Sequence, residues 1–149
     1  MGIMIRPAAV TDVPRITELL DQLGYPTDEA RVRVRVDAWL ADSRSALLVA
    51  EVDCVVSGVA ALHAMQLLEY DASQGRLAAL VVDDSCRGQG VGSQLVAEVE
   101  REARRLGCWR IEVTSSRARV AAHSFYRGLG YEDICDQAAR FVKPLTEPF

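Results

Sequence analysis

Within the stretch DDSCRGQGVGSQL, residues 83 to 95, glycine recurs at positions 88, 90 and 92 directly behind Arg87. The apolar run RLAALVVD leads into this bend, and a run with helical spacing leaves it. A strand, a glycine-rich turn and a helix opening at the turn bring unpaired backbone N–H groups and the positive end of a helix dipole to one point, which attracts phosphate. Glycine lets phosphate oxygens come close and reaches backbone angles that other residues avoid. Arg87 can add a charge-assisted hydrogen bond. Two common phosphate loops do not fit the spacing. A Walker A loop needs a Gly-Lys pair, which the bend lacks, and a dinucleotide fingerprint begun at Gly88 needs glycine where Ser93 stands. A strand-to-helix turn that binds nothing is the plain alternative.

The elements around the bend read as one α/β layer structure with no repeat and no linker. IMIRPA reads as a strand ended by Pro7, and TDVPRITELLDQLG as a helix capped by Thr11 or Asp12 and closed by Gly24. Residues 27 to 41, TDEARVRVRVDAWLA, alternate like a strand at RVRVRV, yet Val32, Val36, Trp39 and Leu40 follow helical spacing. A helix is expected there, capped by Thr27, with Asp28 and Glu29 suited to the positive dipole end. SALLVAEV and VVSGVAALHAMQ read as strands joined at Asp53 and Cys54, a bend without the Asn-Gly or Asp-Gly signature of a tight hairpin. Beyond the glycine bend, Val91, Leu95, Val96, Val99, Ala103 and Leu106 share one helix side until Gly107. CWRIEVTSS follows as a strand, ARVAAHSFYRGLG as a helix, and ARFVKPL as a last strand.

Composition bounds the answer. A chain of 149 residues, 50% apolar and 26% charged, fits one globular domain, and a net charge of −4 argues against a general nucleic-acid or membrane partner. Cys54, Cys86, Cys108 and Cys135 lie far apart, and only His63 and His123 could join them, so no metal site is expected. Nothing at the start reads as an export signal, which leaves a cytoplasmic protein with reduced thiols as the expectation.

The arrangement R-x-x-G-x-G at Arg87, Gly90 and Gly92 resembles the acetyl-coenzyme A pyrophosphate loop of the GNAT family of N-acetyltransferases. AAHSFYRGLGY resembles the same family's A-x-x-F-Y-x-x-x-G-[FY] helix, and IRPAAVTDVPRITELL its first strand and helix. The resemblance implies a single domain over residues 1–149, with a mixed, mostly antiparallel sheet of six to seven strands and about four flanking helices. It implies acetyl-coenzyme A as cosubstrate, bound by Leu80, Val81 and Val82 along the pantetheine arm and by Arg87, Gly88, Gln89, Gly90, Val91, Gly92 and Ser93 at the pyrophosphate. In that picture the strand before the loop splays from a parallel neighbour at residues 109–114, and an N–H near Leu80 faces the thioester oxygen, where a donor helps the transition state most.

Two proton transfers remain. Tyr126 matches the position that usually donates to the departing sulfur in this family, and a phenol is a suitable acid; a core aromatic packed beside Phe125 is the alternative. Many relatives carry a glutamate on the strand before the loop, but RLAALVV has Ala79 and no carboxylate. His63 lies near the end of the preceding strand and is the candidate base, histidine being the residue type ordinarily suited to that task; a packed or partly solvated histidine is the alternative. Glu69, Tyr70 and Asp71, in the following connection, are weaker candidates, and Glu112 can point to either face. Arg119, with Arg117 near it, stands where the family motif often has asparagine and reads as a solvated helix start, and His123 as helix packing. Cys86 beside Arg87 lacks a histidine partner and reads as an inert loop thiol.

On a helix Arg31 and Arg35 share a face and could hold an acceptor's carboxylate or phosphonate. The overall pattern, including ALH at the end of a strand and the short C-terminal ARFVKPL, is similar to the aminoalkylphosphonate acetyltransferase branch, which implies a small amine with an anionic group; arginines on a solvated face are the bland reading. The expected enzyme is therefore an acetyl-coenzyme A-dependent N-acetyltransferase of a small-molecule amine, acting by direct attack in a ternary complex, with no metal required and a homodimer expected. A protein or peptide N-acetyltransferase and a non-catalytic acyl-coenzyme A sensor are the other readings.

Overall fold

Alternate apolar positions of each strand need cover on opposite sides of a sheet, and this chain supplies a helix pair for one side and a single long helix for the other. The computed structural model describes residues 2–115 and 119–148. Its elements are β1 (Ile3–Pro7), α1 (Val13–Leu23), α2 (Glu29–Ala41), β2 (Ser45–Val52), β3 (Val55–Gln66), β4 (Ser73–Val82), α3 (Val91–Arg105), β5 (Cys108–Val113) and α4 (Val120–Gly128), with 3₁₀ turns at Val10–Asp12 and Asp84–Cys86. Two compact units divide the chain, Met1–Thr114 and Ser115–Phe149. The first holds the sheet and α1 to α3, and the second holds α4.

The strands lie in sequence order, β1 to β5; the first four pair antiparallel and β4 pairs β5 parallel. Val59 and Ala61 of β3, Leu47 and Val49 of β2 and Val81 of β4 form one core with Val13, Ile16 and Leu19 of α1 and Val32 and Val36 of α2. The other face receives α3, which meets all five strands through Val91, Leu95, Val96, Val99 and Ala103. Gly58 of β3 marks how closely α3 sits: a Cβ there would come 2.9 Å from Leu95 Cδ1 and 3.4 Å from both Ala50 Cβ and Val81 O. Gly58→Val is therefore expected to cost about 1–3 kcal/mol by overpacking, checked by urea denaturation with an unchanged m-value.

The RVRVRV segment folds as helix α2, because Val32 and Val36 are one turn apart and both are fully buried, whereas a strand would have exposed one of its faces wholly to solvent. Its cap is Asp28, which accepts from Arg31 N at 2.8 Å, and not Thr27. Leu40 is half exposed and lies off the buried stripe. At the start of α1, Asp12 stands in the cap position, but its carboxylate turns back to Arg6 (2.8 and 2.9 Å) and to Ala9 N (2.8 Å). The hairpin between β2 and β3 forms without Asn-Gly because Asp53 and Cys54 themselves take left-handed angles, φ +50° and +68°.

The sheet has five strands among the described residues, fewer than the expected six to seven. The run ARFVKPL accounts for one of the difference. Among the described residues, 139–145 form no strand, and Phe141, Val142 and Leu145 are largely exposed. Alternation gives a strand only when a neighbour supplies hydrogen bonds and an apolar surface, and Pro144 has no N–H to offer. β4 is longer than its sequence pattern, beginning at Ser73. Among the described residues no helix is long and apolar enough to cross a membrane.

Candidate active site

β4 carries an extra residue. Its register with β3 steps from Ala61↔Ala79 to Leu62↔Leu77, which leaves Ala78 without an opposite partner. The parallel pairing with β5 ends at the same place, Leu77↔Val113. A bulge bends its strand and increases the local twist, so β4 departs from β5 where it is bulged. Among the described residues, 78–82 then run on with no strand beside them on the β5 side. Val81 is buried in the core, and Leu80 and Val82 are half-buried. Such an edge can hold an extended ligand by main-chain hydrogen bonds, as an added strand would be held.

The edge leads straight into the glycine turn. Gly88 and Gly90 take φ +78° and +85°, and a Cβ on either would meet nothing within 4 Å. Backbone conformation, rather than crowding, therefore requires glycine at both, and the space above them is open. Gly90 is the N-cap of α3, and the first turn of the helix is closed by Gln94 N donating to Gly90 O at 3.1 Å. The N–H groups of Val91, Gly92 and Ser93 precede it and have no acceptor within the helix, so three donors and the positive end of α3 face one opening. That set fits a diphosphate. Arg87 is held by Asp84 at 2.9 Å, with both side chains more than half exposed. An exposed pair of this kind is worth little, so Arg87 can leave it for an anion. Gln89 is exposed in the turn.

What holds the turn in place was not legible beforehand. Asp83, at the end of β4, accepts from Ser85 N (2.9 Å) and Ser85 Oγ (2.7 Å) within the turn, and from Arg15 Nη2 (2.8 Å) and Gln22 Nε2 (3.2 Å) of α1. These bonds, with those from Ser85 foremost, hold its carboxyl well below the usual carboxylate range. Gln22 Oε1 also accepts from Asp84 N at 2.9 Å, and Arg15 Nε donates to Val56 O at 2.8 Å. An acid at the end of the strand that leads into the bend was a visible signal for Asp83. Nothing local marks Arg15, which is 68 positions away.

His63 of β3 stands opposite Ser45 of β2 and Arg76 of β4. Its Nδ1 lies 3.0 Å from Ser45 Oγ and 3.5 Å from Asp42 Oδ2. Continuing across the sheet, Arg76 is opposite Glu112 of β5 and approaches it at 3.6 Å; its Nη2 also donates to Thr114 Oγ1 at 3.3 Å. A polar row thus crosses β2 to β5 beside the last β4–β5 pair. Glu112 is tied into it by Arg76 and by Gln74 Nε2 at 3.0 Å, which makes it a structural partner. Glu69, Tyr70 and Asp71 lie in the connection between β3 and β4. Arg31 and Arg35 share a face of α2 as expected; Arg31 is near Asp28, at 3.7 Å. Cys86 closes the 3₁₀ turn before Arg87.

In the second unit, Tyr126 sits on α4, half-buried, with its ring edge-on to Phe125 (5.2 Å) and Tyr131 (5.8 Å). Burial pushes its phenol pKa up, against a smaller opposing effect of Arg119. Arg119 is the N-cap residue of α4 and His123 lies on its first turns, while Arg117 lies outside the described residues.

Comparison with known proteins adds the following. Residues 13–131 match the acetyltransferase (GNAT) family. Over 90 residues the chain is 38% identical to an aminoalkylphosphonate N-acetyltransferase of Salmonella typhimurium, a match spanning 60% of this chain and 56% of that relative. A crystal structure of a GNAT family acetyltransferase from Staphylococcus aureus superposes with a TM-score of 0.80 at 26% identity, covering 97% of this chain and 100% of the other. An aminoglycoside N-acetyltransferase, AAC(6')-Iy, in complex with CoA, superposes with a TM-score of 0.84 at 22% identity, covering 97% of this chain and 96% of the other, and so shares the fold.

Proposed function

The chain belongs to the acetyltransferase (GNAT) family, and from that premise we propose that it transfers an acetyl group from acetyl-coenzyme A to the primary amine of a small molecule. The observation that carries this reading is the stretch of β4, residues 78–82, which among the described residues has no strand beside it on the β5 side and runs directly into the Gly88–Gly90 turn and the start of α3. It offers a main-chain edge for an extended arm and a cluster of N–H donors for a diphosphate, in sequence along one path. The family match runs through both compact units, which supports reading residues 1–149 as one transferase domain.

In this reading the amine attacks the thioester directly, in a ternary complex, and no covalent enzyme intermediate forms. A main-chain N–H near Leu80 donates to the oxygen as it becomes negative. An alkylammonium, with a pKa of about 10, must first lose a proton, and His63 takes it, directly or through water. Tyr126 returns a proton to the departing sulfur. Its raised phenol pKa keeps the proton in place at neutral pH, as an acid requires. Tyr126→Phe is expected to lower kcat by about 10²-fold with the KM for acetyl-coenzyme A unchanged. Full turnover in a stopped assay of the variant removes the acid role.

Relatedness to a protein named for aminoalkylphosphonates, over somewhat more than half of that protein's length, favours an acceptor that joins an amine to an anionic group. Arg31 and Arg35 are the proposed clamp for that anion. The test is release of coenzyme A thiol from acetyl-coenzyme A across aminoalkylphosphonates, amino acids, polyamines, aminoglycosides and short peptides. Hits confined to anionic amines support the clamp, and hits among cationic amines remove it. Acetylation of peptides alone points to a protein-modifying enzyme, and silence in a preparation that binds coenzyme A points to a sensor.

A further inference from the structure

Ser45 has one hydroxyl proton and two neighbours that could claim it. Its Oγ lies 2.7 Å from Asp42 Oδ2 and 3.0 Å from His63 Nδ1. Asp42 already accepts from Arg44 N at 2.9 Å. That backbone bond first, and the Ser45 hydroxyl second, hold its carboxyl below the usual carboxylate range, so it is ionised at neutral pH and can only accept. The serine proton therefore goes to Asp42. The remaining contact, Ser45 Oγ to His63 Nδ1, is a hydrogen bond only if Nδ1 carries the proton and donates it to the serine oxygen.

We propose that Asp42 and Ser45 are positioning residues that hold neutral His63 in its Nδ1–H tautomer, leaving Nε2 as the ring's proton acceptor. The bond made by one ring nitrogen sets the state of the other. The strand register makes the arrangement firm, since Ser45 and His63 are directly opposite on adjacent strands, and Ser45 N also donates to Asp42 O at 3.2 Å, closing the turn that carries the carboxylate. Both polar contacts of the ring use Nδ1, and the side chain is 44% exposed. When Nε2 takes a proton, Asp42, 3.5 Å from Nδ1, is the nearest opposing charge. The other charges facing this place are Arg44, whose Nη2 donates to Ser73 Oγ at 2.6 Å, and Arg76 on β4, which is occupied by Glu112. The relay thus supplies what a missing carboxylate on β4 would otherwise supply: an oriented lone pair on the sheet, here on β3 and oriented from β2.

This inference deepens the reading of His63 as the base and rests on it for its catalytic consequence, while the tautomer itself is separately measurable. Long-range ¹H–¹⁵N spectra of the full chain at mildly alkaline pH, with His123→Gln used to separate the two histidines, are expected to give a pyrrole-like Nδ1 and a pyridine-like Nε2 for His63. Ser45→Ala is expected to move the proton largely to Nε2, and Ser45→Thr, which keeps the hydroxyl, to retain it on Nδ1. In turnover, Ser45→Ala is expected to lower kcat/KM by about ten-fold, less than the ~10²–10⁴-fold cost of losing a positioned base, with coenzyme A affinity unchanged and Ser45→Thr restoring the rate. A wild-type spectrum with the proton on Nε2, or one indifferent to Ser45→Ala, overturns the proposal. Full turnover in His63→Gln overturns the base reading instead, and leaves the tautomer to be decided by the spectra.

Discussion

Gly90→Val is expected to weaken coenzyme A binding by about 100-fold, the equivalent of roughly 2.7 kcal/mol, measured by titration calorimetry. Two effects combine. The residue has φ +85° and is the N-cap of α3, and a side chain in the left-handed region costs about 1–2 kcal/mol. Relief of that strain would turn the turn's donors away from their common opening. The isopropyl group would also project into space that is open in the protein, with nothing within 4 Å of a Cβ, where the diphosphate is expected. Gly107, at the other end of α3, provides the control. It has φ +79° and equally open surroundings, so Gly107→Val should lose similar stability, but its position places no donors at an anion. Equal affinity losses in the two variants would show that the effect is general destabilisation and that the turn does not hold the diphosphate.

Asp83→Ala is expected to cost about 1–3 kcal/mol of stability, because Arg15 Nη2 and Gln22 Nε2 lose their acceptor and the start of the turn is freed, although Arg15 keeps Val56 O and Glu18. The same variant should bind coenzyme A more weakly, since Asp83 is what ties Ser85 to α1. Its sign with pH is fixed by the direction of the shift. The folded carboxyl is held below its unfolded value of about 3.9, so its contribution is complete above the unfolded value and is lost as pH falls through the folded one. Asp12, lowered chiefly by Arg6, adds acid sensitivity of the same sign. Denaturation curves from pH 7 down into the acid range below the unfolded value should therefore show stability falling progressively in the wild type and falling less in Asp83→Ala. An identical pH dependence in both would place the acid-sensitive interaction elsewhere.

Local chemistry explains why parts of the site were readable in the sequence. Glycine at 88 and 90 is required by backbone angles that no neighbour imposes, so residue type alone marks the turn. The stripe Val91, Leu95, Val96, Val99 and Ala103 is buried as its spacing indicates, because an amphipathic helix needs only one apolar partner surface. Val32 and Val36 decide α2 in the same way: the alternating arginines beside them offered a strand as the alternative, and the helix expected from the valine spacing is what forms.

What depended on distant pairing was not readable. The sequence by itself determined the glycine turn, its flanking strand and helix, the four main helices and the family to which these belong, all of which rest on residues within a few positions of one another. Only the tertiary structure decided that β4 bulges at Ala78 and leaves β5 at Leu77, since register is a property of two strands and not of either alone. It alone denied ARFVKPL a partner strand, joined Arg15 to Asp83, and set Asp42 and Ser45 against His63. Each of these is a contact whose energy depends on which atoms meet, and the chain's order does not record that until the sheet has formed.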